Sequence, residues 1–319
     1  MTYFDVFNGD ADGICALHQM RLKHPVQSTL ITGIKRDIQL VRQVKANQGD
    51  KILILDISLA KNQDAVMTLL EQGCAVQYFD HHLKGESFTH NLFEQNINIS
   101  PETCTSLLMN EHLKGEHVLW AIVGAYGDNM FTAANALVEK KGLNKIEQIQ
   151  LKELGQYINY NGYGSSLDDL HFHPGTLYKL IQPYKNPFDF IKNEPVFNTL
   201  KASFFSDLKQ AKKVTPLQIT DKTAVYLLPN EKWARRVSGT FGNYLASQAP
   251  DRAHALLSCI TDDGYQVSVR APLNNKTGAG TLCSKFETGG GREGAAGINR
   301  LKRQDEEIFL KYFTNQYSR

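Results

Sequence analysis

Short apolar runs alternate with amphipathic stretches along the first third of the chain. "TYFDVFN" (2–8) runs into "GDADGICALHQMRLK" (9–23), "KILILDI" (51–57) into "SLAKNQDAVMTLLEQG" (58–73), and "CAVQYFD" (74–80) into "HHLKG" (81–85). A buried strand of a parallel sheet reads as a short continuous apolar run, and the helix that returns the chain reads with a 3.6-residue period. The pattern therefore predicts βαβ units and a parallel sheet. "SPETCTSLLMNEHL" (100–113) predicts a helix capped by Ser100 with Pro101 as its first residue. "HVLWAIVGAYGDN" (117–129) is a buried segment, taken as a helix, that ends in the polar cluster Gly127-Asp128-Asn129.

From about residue 143 to 185 the pattern is mixed helix and loop. "NPFDFIKNEPVFNTLKASFFSDLKQAKK" (186–213) then reads as a helical connector broken at Pro195. Beyond it, "LLSCI-TDDG-YQVSVR" predicts a hairpin, because two alternating runs flank a turn containing glycine. "GGGREGAAG" (289–297) predicts a glycine-rich loop leading to a helix start, with backbone N–H groups able to approach an anion. The expected division is 1–185, a connector at 186–215, and 216–319.

The chain has 319 residues, 42% apolar and 21% charged, which suits a globular protein of about two domains. A net charge of +2 gives no global basic field, so duplex DNA is not an expected partner and an anionic ligand needs a local basic site. Five scattered cysteines without a CxxC pair point to free thiols in a reducing compartment. No run approaches the ~20 apolar residues that span a bilayer, and the first residues lack a signal-like apolar core, so no membrane contact and a cytoplasmic location are expected.

Chemistry gathers where the apolar runs end. Asp10 and Asp12 follow the first, Asp56 ends the second, Asp80-His81-His82 ends the third, and Asp128 follows a later apolar segment. In an open parallel sheet these positions share one rim. Each piece alone has an ordinary reading: "GDADG" as a turn or cap, Asp56 as a cap for the helix after Ser58, the histidines as surface or core residues, Asp128 as a turn residue. Together they place five carboxylates and two imidazoles in one crevice, a repulsion that divalent cations relieve. Aspartate and histidine without thiolate suit Mn²⁺, Zn²⁺ or Fe²⁺. Two such ions about 3.5–4 Å apart would activate water and clamp a phosphoryl group.

"NGDADG", "LDIS", "DHH" and "GAYGDN" resemble the motifs of the DHH phosphoesterase family, whose members include RecJ-type exonucleases and nanoRNases. "SVRAP…GGGREGAAGI" is similar to its associated C-terminal domain. The resemblance implies an α/β fold, a parallel-sheet N-terminal catalytic domain and a smaller α/β substrate-binding domain. It implies two Mn²⁺ per chain, with Mg²⁺ or another divalent ion as an alternative. Asp10 would hold one ion and Asp12 the other, Asp56 would bridge them, and His81 and Asp128 would complete the ligand set of the second ion. Asp80 would orient its neighbours, and His82 would face the substrate phosphate.

The chain departs from the family in two places, the first motif and the glycine run. Asn8 stands where RecJ-like members have an aspartate, making it a neutral ligand, and Val6 where others have a histidine. Arg292 replaces a histidine after the glycine run and is suited to grip phosphate bidentately. Gly289, Gly290 and Gly291, with Arg270 expected to point into an interdomain cleft, complete the candidate substrate site. Arg235, Arg236 and Ser238 form a second candidate anion site, or an ordinary helix face. Tyr160 and Tyr163 are candidates for base stacking, or structural tyrosines. The implied activity is hydrolysis of short oligonucleotides or small nucleotide phosphates. Bisphosphonucleotides, cyclic dinucleotides and polyphosphate are alternative substrates, and a regulatory protein with a decayed site is the alternative of another class.

Overall fold

The computed structural model describes residues 1–82, 84–261 and 264–318. Its contacts divide the chain into two compact units, 1–162 with 166–201, and 163–165 with 202–319.

The first unit is built on β1 (Tyr3–Phe7), β2 (Ser28–Thr32), β3 (Lys51–Leu55), β4 (Ala75–Asp80) and β5 (Phe93–Ile97), all parallel, in the order β2-β1-β3-β4-β5. The parallel sheet is the one the apolar runs predict. β2 and β5 extend it on either side, and neither stands out in the sequence. β5 alternates half-buried and exposed residues, and β2 is buried only at Ile31 and Thr32, as expected of edge strands. Helix α1 (Ala11–Lys23) follows β1, α2 (Leu59–Glu71) follows β3, and α3 (Thr105–His112), α4 (Val118–Gly127), α5 (Phe131–Lys140), α6 (Lys145–Asn161), α7 (Pro174–Ile181), α8 (Pro187–Asn193) and α9 (Pro195–Ala211) follow in turn. α9 continues from the first unit into the second after Lys201.

Strand alternation sends Phe4, Val6, Ile52, Ile54, Val76 and Tyr78 to the face covered by Leu59, Val66, Leu69 and Leu70 of α2. α1 is buried from Ala11 to Met20, and α3, α4 and α6 pack around it. The segment 117–129 is a helix, as its apolar composition suggests. The helix expected at Ser100 instead begins at Thr105, with Cys104 in the cap position. Its first N–H groups find their acceptor far away in the chain, a partner that local capping signals do not reveal. After Asp80 no helix follows; the chain passes through His81 and His82 towards β5. Leu83 of "HHLKG" lies outside the described residues.

The second unit holds β6 (Gln218–Ile219), β7 (Thr223–Leu228), β8 (Ala253–Thr261), β9 (Gly264–Arg270), β10 (Gly289–Arg292) and β11 (Ala295–Lys302), in the order β10-β11-β9-β8-β7-β6. β7 and β8 are parallel, joined through α10 (Lys232–Gln248); the other pairs are antiparallel. Ala224, Tyr226 and Leu228 of β7 pack against Val237, Phe241 and Leu245 of α10. Val225 goes to the opposite face with Val267, Val269, Ile298 and the α12 (Glu306–Tyr317) residues Phe309 and Phe313. A short α11 (Ala279–Cys283) precedes β10. The predicted hairpin is the β8–β9 pair; its turn residues Asp262 and Asp263 lie outside the described residues. The glycine-rich run is not a loop before a helix. It is the edge strand β10, paired antiparallel with β11. Gly289 is needed because a Cβ there would lie 1.8 Å from the Cys283 carbonyl oxygen. Among the described residues no helix is long and apolar enough to cross a membrane.

Candidate metal centre

β1, β3 and β4 are adjacent in the sheet, so the residues that follow them emerge side by side at one edge. The main chain continues the ladder there: Asn8 N–H donates to the Leu55 carbonyl at 3.2 Å and Asp56 N–H to the Phe79 carbonyl at 3.0 Å. Asp56 turns off the sheet with φ of +60°, a left-handed conformation that aims its carboxylate back over the strand ends. It does not cap α2, whose cap residue Ser58 makes no side-chain cap bond.

Asp10, Asp12, Asp56, Asp80, His81 and Asp128 are all buried, and the His82 side chain is 44% exposed. The seven groups converge. His81 Nδ1 lies 3.0 Å from the Thr103 carbonyl, so that nitrogen carries the proton and donates it. Nε2 then faces Asp56 at 3.4 Å and Asp12 and Asp128 at 3.8 Å each. A ring-nitrogen lone pair among three carboxylates is stabilised by a cation shared between them. Asp12, His81 and Asp128, and likewise Asp56, His81 and His82, offer ligand atoms within 4.8 Å of one another. Burial, then the charges of Asp12 and Asp10, push the Asp56 carboxyl well above its usual range. That is the mutual repulsion of a buried carboxylate cluster.

Asp12 is placed by α3. Its two oxygens accept the N–H groups of Thr105 and Ser106, each at 2.7 Å, and its carbonyl accepts from Ser106 Oγ at 2.8 Å. Thr105 Oγ1 donates to Asp56 at 3.1 Å. The helix N-terminus thereby binds a carboxylate from another element, a favourable meeting of dipole and anion. Asp80 accepts from His82 Nδ1 at 2.7 Å, while its other oxygen, Oδ2, is buried without a hydrogen-bond partner among the described residues. Burial lowers the His82 pKa, but the hydrogen bond and charge of Asp80 outweigh it, and the net direction is upward.

Asn8 and Asp10 are engaged differently. Asp10 caps α1, its Oδ1 accepting from Asp12 N–H at 2.9 Å and Gly13 N–H at 3.1 Å. Its Oδ2 is bonded to the Lys35 ammonium, which also reaches Asn159 Oδ1 at 3.1 Å and Asp128 Oδ1 at 3.6 Å. Asn8 Oδ1 accepts from Asp10 N–H at 3.2 Å, and its amide nitrogen donates to the Lys35 carbonyl at 3.1 Å. The residues around His81 fit a divalent ion. The Asn8–Asp10 side, already holding an ammonium, does not fit a second. Neither Lys35 nor Asn159 is singled out by sequence reasoning. The only signal for Lys35 is its place three residues after β2, the same rim position that carries the aspartates after β1 and β3.

In the second unit, Arg270 ends β9 and is held in place, with Nε donating to Asn243 at 2.7 Å and Nη2 to the Gly239 carbonyl at 3.3 Å. Arg292 pairs with Ala295 across β10–β11, and Ala295 pairs with Arg270 across β11–β9. Directly paired residues share a sheet face, so the two arginines flank an alanine on one side. Gly291 has φ of +136°, open to glycine, and a Cβ there would lie 2.6 Å from Ala296 Cα. The other expected anion site does not converge. Arg236 pairs with Asp207 at 2.8 Å, Arg235 bonds Asn230 at 2.5 Å, and Ser238 is buried, donating to the Arg235 carbonyl at 3.2 Å. Tyr160 is buried, its hydroxyl 2.8 Å from His171, and so is part of the core of its unit.

No protein-family model and no curated protein matches the chain. Solved structures do. A structure of exonuclease RecJ bound to manganese superposes with a TM-score of 0.61 at 15% identity, covering 99% of this chain and 89% of that one. A DHH domain from a member of the s1p family of ribosomal proteins gives 0.64 at 13%, covering 99% and 86%. A pGpG-specific phosphodiesterase, PggH, from Vibrio gives 0.54 at 12%, covering 99% and 98%. At these identities the likeness is one of architecture, and the chain has the fold of the DHH-domain proteins.

Proposed function

We propose that the protein is a divalent-cation-dependent phosphoesterase that hydrolyses short oligonucleotides or small nucleotide phosphates. The observation that carries this reading is His81, its Nδ1 proton committed to Thr103 and its Nε2 turned to three carboxylates. Asp12, Asp56, His81 and Asp128 would hold the ion; the donor set suits Mn²⁺, Zn²⁺ or Fe²⁺, and the manganese-bound exonuclease of like fold favours Mn²⁺. A bound ion there supplies Lewis acidity to a phosphoryl oxygen and activates water for attack on phosphorus.

The chain's own groups have complementary tasks. Asp80, fully buried, fixes the His82 ring through Nδ1, which leaves Nε2 as the nitrogen to meet the substrate. The upward direction of the His82 pKa favours an imidazolium, suited to stabilising a phosphoryl oxygen or protonating a departing one. Thr103 and Thr105 hold His81 and Asp56 in orientation. In the second unit, Arg270 and Arg292, beside the edge strand of Gly290 and Gly291, would bind an anionic group. An exonuclease and a pGpG phosphodiesterase among the structures of like fold favour a nucleotide substrate.

The test is a panel of dinucleotides, a bisphosphonucleotide, a cyclic dinucleotide and polyphosphate, with products followed under Mn²⁺ and under chelator. The expected result is Mn²⁺-stimulated hydrolysis of at least one small nucleotide, abolished by chelation. Saturable nucleotide binding without turnover of any compound would instead identify a binding protein.

A further inference from the structure

Resting on the phosphoesterase reading, we infer that Lys35 is a built-in cation of the site, and that its ammonium takes the place of one of two metal ions. The cluster then holds a single divalent ion, on the His81 side.

Four observations support this. The ammonium is bonded to Asp10 Oδ2 and lies 3.1 Å from Asn159 Oδ1 and 3.6 Å from Asp128 Oδ1. Two oxygens lie within hydrogen-bond reach of the ammonium, and the third, at 3.6 Å, adds its charge. The lysine is held at its main chain as well as its tip: its N–H donates to the Gly162 carbonyl at 2.8 Å, and its carbonyl accepts from Asn8 at 3.1 Å. The side chain is only 23% exposed, so the charge is not a mobile surface one. Finally, the residues that a second ion would need are otherwise committed. Asp10 Oδ1 accepts two backbone N–H groups, and Asn8 Oδ1 accepts a third.

Asn8 gains a physical reason in this arrangement. An aspartate at position 8 could not donate a hydrogen bond to the Lys35 carbonyl, whereas the amide nitrogen does. Asn8 is therefore a positioning residue for the lysine, and its neutrality is consistent with one positive charge fewer to balance. An ammonium beside Asp10 and Asp128 repels a divalent ion from that side. It leaves Asp12, Asp56, His81 and the second oxygen of Asp128 facing the other.

The test counts bound Mn²⁺ in the full chain by equilibrium dialysis with elemental analysis, and reads Mn–Mn coupling by electron paramagnetic resonance. The wild type is expected to bind one Mn²⁺ per chain with an uncoupled spectrum. Lys35→Arg keeps the charge and should remain at one. The double variant Asn8→Asp with Lys35→Ala, its folding checked by circular dichroism, should bind two and show coupling. Two ions in the wild type, or still one in the folded double variant, overturns the inference while leaving the phosphoesterase reading intact. No saturable Mn²⁺ binding in the wild type overturns both.

Discussion

Asp56 carries two unfavourable features at once, a left-handed backbone and a buried carboxylate among other carboxylates. Such strain persists where the surroundings enforce it, and it is concentrated at functional sites. Asp56→Asn keeps the shape and tolerates the left-handed conformation, since asparagine adopts it readily. Because the folded protein disfavours the Asp56 anion, the neutral amide should raise the melting temperature of the metal-free protein by a few degrees in scanning calorimetry. The same variant should lose Mn²⁺-stimulated hydrolysis. A fall in stability together with retained activity would refute this account of Asp56. His18 offers a separate test within the same unit. Its ring is buried beside Trp120, Nε2 donates to the Tyr184 carbonyl at 2.9 Å, and Nδ1 has no hydrogen-bond partner. Burial lowers its pKa from 6.5 to about 4. Between those values the unfolded chain binds the extra proton, so stability is full above about pH 6.5 and falls as the pH drops towards 4. From pH 7 to pH 5 this single group should cost roughly 2 kcal/mol. Urea unfolding at the two pH values should therefore show a smaller loss for His18→Gln than for the wild type; equal losses would contradict it.

Elements position these residues through close packing that glycine permits. A Cβ on Gly124 of α4 would lie 2.1 Å from Ser106 Oγ and 3.1 Å from Cys15 Cβ, and one on Gly127 would lie 2.3 Å from Ala11 Cβ. The glycines of "GAYGDN" thus let α4 lie against α1 and α3, bringing Asp128 to the rim that Asp12 occupies. Gly124→Ala should destabilise the protein by about 1–3 kcal/mol through overpacking. It should also weaken Mn²⁺ binding, because Ser106 anchors Asp12; titration calorimetry alongside denaturant unfolding measures both. A stable variant with unchanged affinity would show that the packing does not position the ligand. The parallel core is legible because β3 is an apolar run after Lys51, and β1 and β4 are apolar apart from Asp5, Gln77 and the terminal Asp80. β2 and β5 are not, since edge strands need bury only part of their length and "FEQNI" carries no apolar run. α3 starts four residues later than its local signals predict, because its first N–H groups are satisfied by Asp12, far away in sequence. The glycine run predicts a loop, although it forms an edge strand in which neighbouring backbone leaves no room for a side chain at Gly289 and Gly291.

For the whole molecule, a net charge of +2 hides a first unit with a concentrated acidic cluster and a second unit with paired arginines on one sheet face. Bulk composition could bound the class of partner but not reveal this segregation. The carboxylates and imidazoles of the cluster were legible because each sits where an apolar run gives way to polar residues. Lys35 and Asn159 were not, because nothing in their local sequence announces that the fold brings them to Asp10. Arg235, Arg236 and Ser238 looked like an anion site only until the fold supplied Asp207 as a partner. On the proposed reading, residues just after β3 and β4, one from α1 and the one that caps the end of α4 together hold a divalent ion. Anomalous scattering from a Mn²⁺-loaded crystal, collected at the manganese absorption edge, measures this most directly. The expected peak lies among Asp12, Asp56, His81 and Asp128, and a fully occupied ion located elsewhere, with none in that cluster, would contradict it.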